Sequence, residues 1–135
     1  MNPLIKVVIN EMRVVILDTN FILTCVKQKI DFFNEIYLLG LSIVIPLEVI
    51  REIKRIKEKE GKFHLRRDAE LSLKIIERNK FKKIRLGSKT VDQGLLKISK
   101  KNPDIIIATL DKELKKRIKG EKLVIIGKKK IEIRP

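Results

Sequence analysis

The strongest constraint on the fold is an alternation of short, continuous apolar runs with longer segments whose apolar residues recur at helical spacing. The apolar runs are rich in Val and Ile and too short to be helices, so they predict buried strands. Strands of this kind separated by helices indicate an α/β fold: a central, mostly parallel twisted sheet with helices on both faces. The predicted strands are 14–17, 42–45, 81–86, 104–108 and 123–126, with a final edge strand at 131–133.

Capping residues, Gly and Pro mark the ends of the predicted helices. Asn20 is expected to cap the first helix and Asp31 the second, and Pro46 is expected to open a long third helix. Three more helices are predicted. One spans 65–77, the next begins at a cap on Thr90 or Ser88 and ends at Asn102-Pro103, and the last spans 112–119 and ends at Gly120.

A chain of 135 residues is expected to form one domain. We assign this domain to residues 12–135, and residues 1–11 to an N-terminal extension or an edge strand at 4–9. No apolar run approaches the ~20 residues of a membrane span, and the beginning of the chain lacks the pattern of a signal peptide. Cys25 is the single cysteine, so an internal disulfide is excluded. These features predict a cytoplasmic protein without membrane association.

Four acidic residues are expected at one edge of this sheet, where the carboxyl ends of parallel strands form the usual ligand site. Asp18 directly follows the first strand, and Asp111 comes three residues after Ala108. Glu52 and Asp92 lie near the starts of helices that follow strands. Clustered carboxylates raise one another's pKa unless a cation neutralises them. Mg²⁺ or Mn²⁺ suits oxygen-only ligands, so the pattern favours phosphodiester hydrolysis by metal-activated water.

Each acid also has an interpretation that needs no metal. Asp18 and Asp111 are placed to cap the helices that follow them, and Asp92 is a first-turn acid favoured by the helix dipole. Glu52 is a candidate for an exposed helical ion pair. The sequence leaves two rivals in place at these positions: Glu48 for Glu52, and Glu113 for Asp111.

Basic residues outnumber acidic ones, with 32 Lys and Arg against 17 Asp and Glu. Residues 51–90 hold 15 basic and 6 acidic side chains, and residues 112–135 hold 10 and 3, whereas the rest of the chain has no basic excess. This bias predicts binding of nucleic acid or another polyanion. The expected phosphate contacts are Arg51, Lys54 and Arg55 near Glu52, followed by Lys115, Lys116 and Arg117. Few aromatic residues are present, so base stacking is expected to be limited.

Segments spread over residues 13–133 together resemble the PIN-domain ribonucleases. They are Leu-Asp-Thr-Asn-Phe-Ile-Leu (17–23), Ile-Pro-Leu-Glu-Val-Ile-Arg-Glu-Ile (45–53), Asp92 with Leu95 and Leu96, Ile-Ile-Ala-Thr-Leu-Asp-Lys-Glu-Leu-Lys-Lys-Arg (106–117) and Val-Ile-Ile-Gly-Lys-Lys-Lys (124–130). The resemblance implies a metal-dependent endoribonuclease. Its acidic cluster of Asp18, Glu52, Asp92 and Asp111 would bind Mg²⁺ or Mn²⁺, with Asn20 and Thr109 as polar helpers.

Within that family, the basic middle and Lys-rich ending are more similar to the PIN proteins of archaeal and eukaryotic rRNA processing than to toxins. The resemblance therefore implies RNA, including rRNA or its precursor, as the partner, and a homodimer as the assembly. The alternatives are a toxin ribonuclease paired with an antitoxin and a non-catalytic RNA-binding scaffold in ribosome assembly. Two positions depart from the family pattern. Gln93 replaces a second acid beside Asp92, and the four acids that remain are enough for one metal ion. Leu110 replaces a residue that is commonly polar.

Overall fold

The computed structural model describes residues 12–127 and 129–135. Strands and helices alternate along this part of the chain, as predicted. The strands are β1 (Arg13–Leu17), β2 (Leu41–Pro46), β3 (Lys82–Ile84), β4 (Ile106–Ala108), β5 (Lys122–Ile126) and β6 (Lys130–Arg134). The helices are α1 (Thr19–Lys27), α2 (Phe32–Leu38), α3 (Leu47–Lys59), α4 (Phe63–Glu77), α5 (Val91–Lys101) and α6 (Lys112–Arg117).

The strands form one sheet in the order β3-β2-β1-β4-β5-β6, and β6 alone is antiparallel to its neighbour. The chain builds outward from β1 through β2 to β3 and then adds β4 and β5 on the other side of β1. The strand order therefore reverses between β1 and β4, where an open sheet has its ligand crevice. Leu17 pairs with Ala108 in this register, so the residues that follow them enter the crevice side by side.

Alternate side chains of the central strands supply two separate cores, one on each face of the sheet. Val15 and Leu17 pack in a larger core with α1, α2, α3 and α4, whereas Ile16 packs in a smaller one with α5 and α6. Both faces of β2 and β4 are buried in the same way. The predicted mostly parallel sheet with helices on both faces is confirmed.

The first helix begins two residues earlier than the sequence indicated. Asp18, and not Asn20, is the N-cap of α1, and its carboxylate accepts a hydrogen bond from the Thr19 amide. Asn20 lies within the first turn, where its side chain is free to reach across to the chain that follows β4. Asp31 and Thr90 cap α2 and α5 as predicted.

Two predicted strands are shorter in the structure because their ends bond elsewhere. β3 stops at Ile84, since the amides of Leu86 and Gly87 donate to the Glu48 carboxylate instead of to a strand. β4 begins only at Ile106, because the Asp104 carbonyl accepts from the Arg13 guanidinium. Helix α4 starts at Phe63, two residues before its predicted start, and α6 ends at Arg117, two residues before its predicted end.

The prediction of an extension or edge strand within residues 1–11 lies outside the described residues. In the described ranges, no helix is both long and apolar enough to cross a membrane.

Helix α5 packs against the loop after β3 at Gly94, where an added Cβ would lie 2.6 Å from Leu86 Cβ. Gly94→Ala is expected to lower the free energy of unfolding, because overpacking costs about 1–3 kcal/mol and the helix propensity of Ala returns only about 1 kcal/mol. Denaturant titration measures the difference. Gly61→Ala is the matched control, since its Cβ meets nothing within 4 Å. Equal or higher stability of Gly94→Ala would contradict this packing.

Candidate active site

Asp18 and Asp111 are joined by a hydrogen-bonded bridge across the carboxyl ends of β1 and β4. The Thr109 hydroxyl donates to Asp18 Oδ2 over 2.8 Å, and Thr109 Oγ1 accepts from the Asp111 amide over 3.2 Å. The Asp18 amide donates to the Ala108 carbonyl over 2.9 Å, which continues the strand pairing by one residue. Thr109 is completely buried and Asp18 is 5% exposed. The sheet register thus fixes the Asp18 carboxylate at the crevice.

Asn20 and Asp111 hold the short segment between β4 and α6. The Asn20 side-chain oxygen accepts from the Leu110 amide over 3.2 Å, and Asp111 Oδ1 accepts from the Glu113 and Leu114 amides. Asp111 is therefore the N-cap of α6, and Glu113 points from the exposed side of that helix's first turn. Asp111 has a second carboxylate oxygen with no hydrogen bond among the described residues.

The two glutamates of α3 have different surroundings. Both oxygens of Glu48 accept hydrogen bonds from the Leu86 and Gly87 amides, over 2.9 to 3.2 Å. Burial raises the pKa of Glu48, but these bonds and the nearby Arg51 outweigh it and lower that pKa overall. Glu52 lies one turn further along and senses the charges of Asp18 and Asp92. Of these two rivals, Glu52 is the one whose pKa the charges of Asp18 and Asp92 raise.

The carboxylates disfavour one another's ionisation. Burial raises the pKa of Asp18, hydrogen bonds from Thr109 and Thr19 lower it in part, and the charges of Asp92 and Asp111 raise it further. Burial also raises the pKa of Glu52, as do the charges of Asp18 and Asp92, against the lowering effect of the Thr19 side chain and Arg55. Burial and neighbouring acidic charge therefore both disfavour ionised Asp18 and Glu52 at this edge of the sheet.

The four predicted acids share one electrostatic site, yet they differ in exposure. Asp18 is buried, Glu52 and Asp111 are half-buried, and Asp92 is exposed in the first turn of α5. Within the described ranges, no three His, Cys, Asp or Glu side chains are grouped closely enough to hold a metal ion. The acids thus surround a common region without forming a preassembled cage.

The chemistry of this set fits a hard divalent cation. Mg²⁺ is usually held by one or two carboxylates together with waters and substrate phosphates, so a complete protein cage is not required. Each oxygen of Asp18 accepts one hydrogen bond, which leaves further lone pairs for a ligand. The Thr19 hydroxyl is buried beside the acids and has no partner in hydrogen-bonding geometry among the described groups, although its proximity lowers the pKa of Glu52. A cation or its water would relieve both the repulsion and this unpaired hydroxyl.

Residues 15–130 match the family described as PIN like domain. The chain belongs to the PIN-like domain family. Over 125 residues it is 30% identical to Ribonuclease VapC4 of Methanocaldococcus jannaschii. The aligned region covers 86% of this chain and 92% of that protein. The solved structure of the PIN domain endonuclease Utp24 superposes with a TM-score of 0.72 at 25% identity, covering 90% of each chain. The resemblance to PIN-domain ribonucleases is thereby confirmed.

The basic residues of this PIN-like domain lie on two different surfaces beside the acidic edge. Arg51, Lys54 and Arg55 are exposed on α3, and Arg55 is close enough to lower the pKa of Glu52. Lys115 and Lys116 line a groove between α6 and β5. Arg117, the last residue of α6, is exposed.

The sequence interpretation missed Thr19, and it missed the role of Glu48 in binding the loop after β3. Thr19 stands between two residues with expected roles, and a hydroxyl directly after a strand-ending Asp is the only local signal for it. The bonds of Glu48 join residues 38 positions apart, so nothing local indicates them.

Glu52→Gln tests the electrostatic tension at this edge. Because the folded state raises the pKa of Glu52, its ionisation costs stability above the folded pKa, and the cost vanishes below the unfolded value of about 4.3. The variant is therefore expected to have a higher free energy of unfolding than wild type at neutral pH, with the gain disappearing in acid. Denaturant titration across pH measures it.

Glu58→Gln is the matched control, since Glu58 is exposed on the same helix. It should change stability little at any pH. A Glu52→Gln variant that is less stable than wild type at neutral pH would contradict the charge cluster.

Proposed function

We propose that this PIN-domain nuclease is a metal-dependent endoribonuclease that hydrolyses RNA phosphodiester bonds at the acidic edge of the sheet. The observation that carries the proposal is the buried Asp18 carboxylate, fixed by Thr109 and surrounded by other acids in a chain of net charge +15. A basic protein that concentrates acids at its ligand crevice is suited to a cation and to a polyanionic substrate together.

The acids are proposed to divide into two roles. Asp18 and Asp111 are direct ligands of Mg²⁺ or Mn²⁺, and Glu52 and Asp92 are further ligands or orient the attacking water. When bound, the ion supplies a lowered pKa for that water and stabilises charge on the scissile phosphate. Glu52 is half-buried and burial raises its pKa, which favours a role in accepting a proton from water.

Thr109 and Asn20 are proposed to act by holding these ligands in place. Thr109 fixes the orientation of Asp18 and the start of the Asp111 segment, and Asn20 fastens the intervening Leu110 amide. Their contacts explain why polar residues at these two positions accompany the acids. Rigid placement of ligands matters because small misplacement of reacting groups is costly in rate.

The exposed cations are proposed to hold the RNA backbone. Arg55 lies beside Glu52 and is the cation best placed to meet a phosphate at the acids. Arg51 and Lys54 extend that surface along α3, and Lys115, Lys116 and Arg117 provide another along α6. Contacts of this kind give affinity without sequence preference, so specificity would come from RNA shape and from partners.

The setting we favour is processing of rRNA or its precursor. The superposition on the Utp24 endonuclease, which spans 90% of both chains, supports it. A toxin ribonuclease neutralised by an antitoxin is the second candidate, and the 30% identity to VapC4 favours it. Copurification of a small partner that blocks cleavage would select the toxin setting, whereas cofractionation with ribosomal particles would select the first. A homodimer is compatible with both.

Asp18→Asn tests the proposed chemistry. It removes the charge of the best-fixed ligand while keeping an acceptor for the Thr19 amide, so we expect loss of Mn²⁺ binding by calorimetry and at least about a hundredfold loss of RNA cleavage. Asp104→Asn is the matched control, since Asp104 is exposed and precedes β4 at the opposite edge of the sheet. Undiminished cleavage by Asp18→Asn would exclude this site. Absence of Mn²⁺ binding and cleavage in the wild-type protein would instead favour a non-catalytic RNA-binding scaffold.

A further inference from the structure

A groove between α6 and the outer strands is lined by cations and by no acidic side chain in the described part of the chain. It has a volume of about 640 Å³. Its charged residues are Lys112, Lys115, Lys116, Lys122 and Arg134. Arg134 is paired with Glu132 over 2.8 Å, whereas none of the four lysines takes part in an ion pair among the described residues.

The groove adjoins the acidic edge of the sheet. Lys112 directly follows Asp111, and Gly127 lies just beyond the carboxyl end of β5, on the same edge as Asp18. Lys122 and Arg134 face one another across β5 and β6 at the far end. The five residues of β5 span roughly 16 Å at about 3.3 Å each. A nucleic-acid strand places several phosphates over such a length.

The other basic surface is electrically mixed. A cleft of about 720 Å³ between α3, α4 and β3 is lined by Lys54, Lys57, Lys74 and Lys83, but also by three glutamates: Glu58, Glu70 and Glu77. Lys74 is paired with Glu70 over 3.7 Å. The charges that line this cleft are therefore nearly balanced, whereas the groove has five basic side chains and no acidic one among its described lining residues.

We infer that the groove between α6 and β5 binds the phosphate backbone of the RNA strand on one side of the bond that is cleaved. The inference rests on the proposed function and assigns a path to its substrate. The groove has no aromatic side chain among its described lining residues, so it would follow the backbone without stacking on bases. Lys112 would receive the phosphate nearest the acids, and Lys122 with Arg134 the most distant one.

The test compares two double variants with equal charge change. Lys115→Gln with Lys122→Gln alters the groove, and Lys57→Gln with Lys83→Gln alters the mixed cleft. Binding of a labelled, unstructured RNA oligonucleotide is measured by fluorescence anisotropy at several salt concentrations, with a chelator present so that RNA stays intact. A polyglutamate peptide of similar charge serves as the competing polyanion.

We expect the groove variant to bind RNA roughly tenfold more weakly than wild type and its log–log salt slope to fall by about 1.4, since each lost phosphate contact on a single strand removes about 0.7. The cleft variant should stay within about twofold, because its lysines are already balanced by glutamates. Equal losses in both variants would overturn the assignment. So would polyglutamate displacing RNA at equal charge concentration, which would identify an acidic protein partner as the occupant.

The chelator separates this inference from the proposed function. If the groove variant loses RNA affinity but the wild-type protein cleaves no RNA, the groove assignment stands and the proposed nuclease function is rejected. If the wild-type protein cleaves RNA but both double variants bind RNA with equal affinity, the groove assignment is rejected and the proposed nuclease function stands.

A second inference rests on Glu48. Its carboxylate binds the amides of Leu86 and Gly87, and the Leu86 side chain packs directly on Gly94 of α5. Glu48 precedes Glu52 by one turn of α3, and Gly94 follows Asp92 by two residues on α5. The structure assigns Glu48 as a positioning residue that sets the separation of Glu52 from Asp92 through the loop after β3. This inference also rests on the proposed function.

Glu48→Ala removes this connection, Glu48→Gln keeps one acceptor oxygen, and Glu58→Ala is the control on the same helix. We expect Glu48→Ala to increase hydrogen exchange at the Leu86 and Gly87 amides and to lower kcat by about 10- to 100-fold with KM for RNA unchanged. Glu48→Gln should recover part of both. Faster exchange with unchanged kcat would overturn the positioning role, and so would an equal effect of Glu58→Ala. Unchanged exchange would reject the connection itself, whether or not the protein cleaves RNA.

Discussion

The hydrogen bond from Thr109 to Asp18 joins the two central strands at the point where the sheet reverses its strand order. Leu17 pairs with Ala108, and this register brings the next residues of both strands, Asp18 and Thr109, within hydrogen-bonding distance at 2.8 Å. Because Thr109 also accepts from the Asp111 amide, the same hydroxyl ties the second acid to the first. This seam between β1 and β4, formed by Asp18, Thr109 and Asp111, therefore places two of the four acids.

This seam is fixed by an apolar core but carries charge that the core disfavours. Burial raises the pKa of Asp18, and the surrounding carboxylates raise it further. Natural proteins tolerate such opposition at sites where a ligand resolves it. The Thr19 hydroxyl beside these acids has no hydrogen-bond partner among the described residues, and Arg55 lowers the pKa of Glu52 only in part. A divalent ion and an RNA phosphate together would complete the balance.

The sequence was sufficient for features that depend on neighbouring residues. The apolar run before Asp18 predicted both a buried strand and an acid at its carboxyl end, because the run and the acid are adjacent in sequence. The cap was assigned to Asn20 instead of Asp18, because both are good capping residues and a single position separates them. The length of β4 was overestimated, because the Asp104 carbonyl accepts a hydrogen bond from Arg13, which is 91 residues away in sequence.

The different surroundings of Glu48 and Glu52 could not be predicted from the sequence. The two lie one turn apart on one helix and have the same chemistry, so only the position of the loop at residues 86–87 distinguishes them. The distribution of charge shows the same limit. Segment 51–90 has the larger basic excess, yet four of its lysines lie in one cleft with three glutamates, whereas five cations of segment 112–135 line a groove without acidic side chains among its described residues.

The central claim is that the seam between β1 and β4 presents Asp18 to a divalent cation. Anomalous diffraction from a crystal soaked in Mn²⁺ tests it most directly, because it locates the ion without relying on activity. The account predicts a peak at the carboxyl edge of the sheet within about 2.0–2.3 Å of an Asp18 oxygen, with one or more of Glu52, Asp92 and Asp111 beside it. A crystal in which Mn²⁺ occupies other carboxylates and leaves Asp18 without an ion would contradict it.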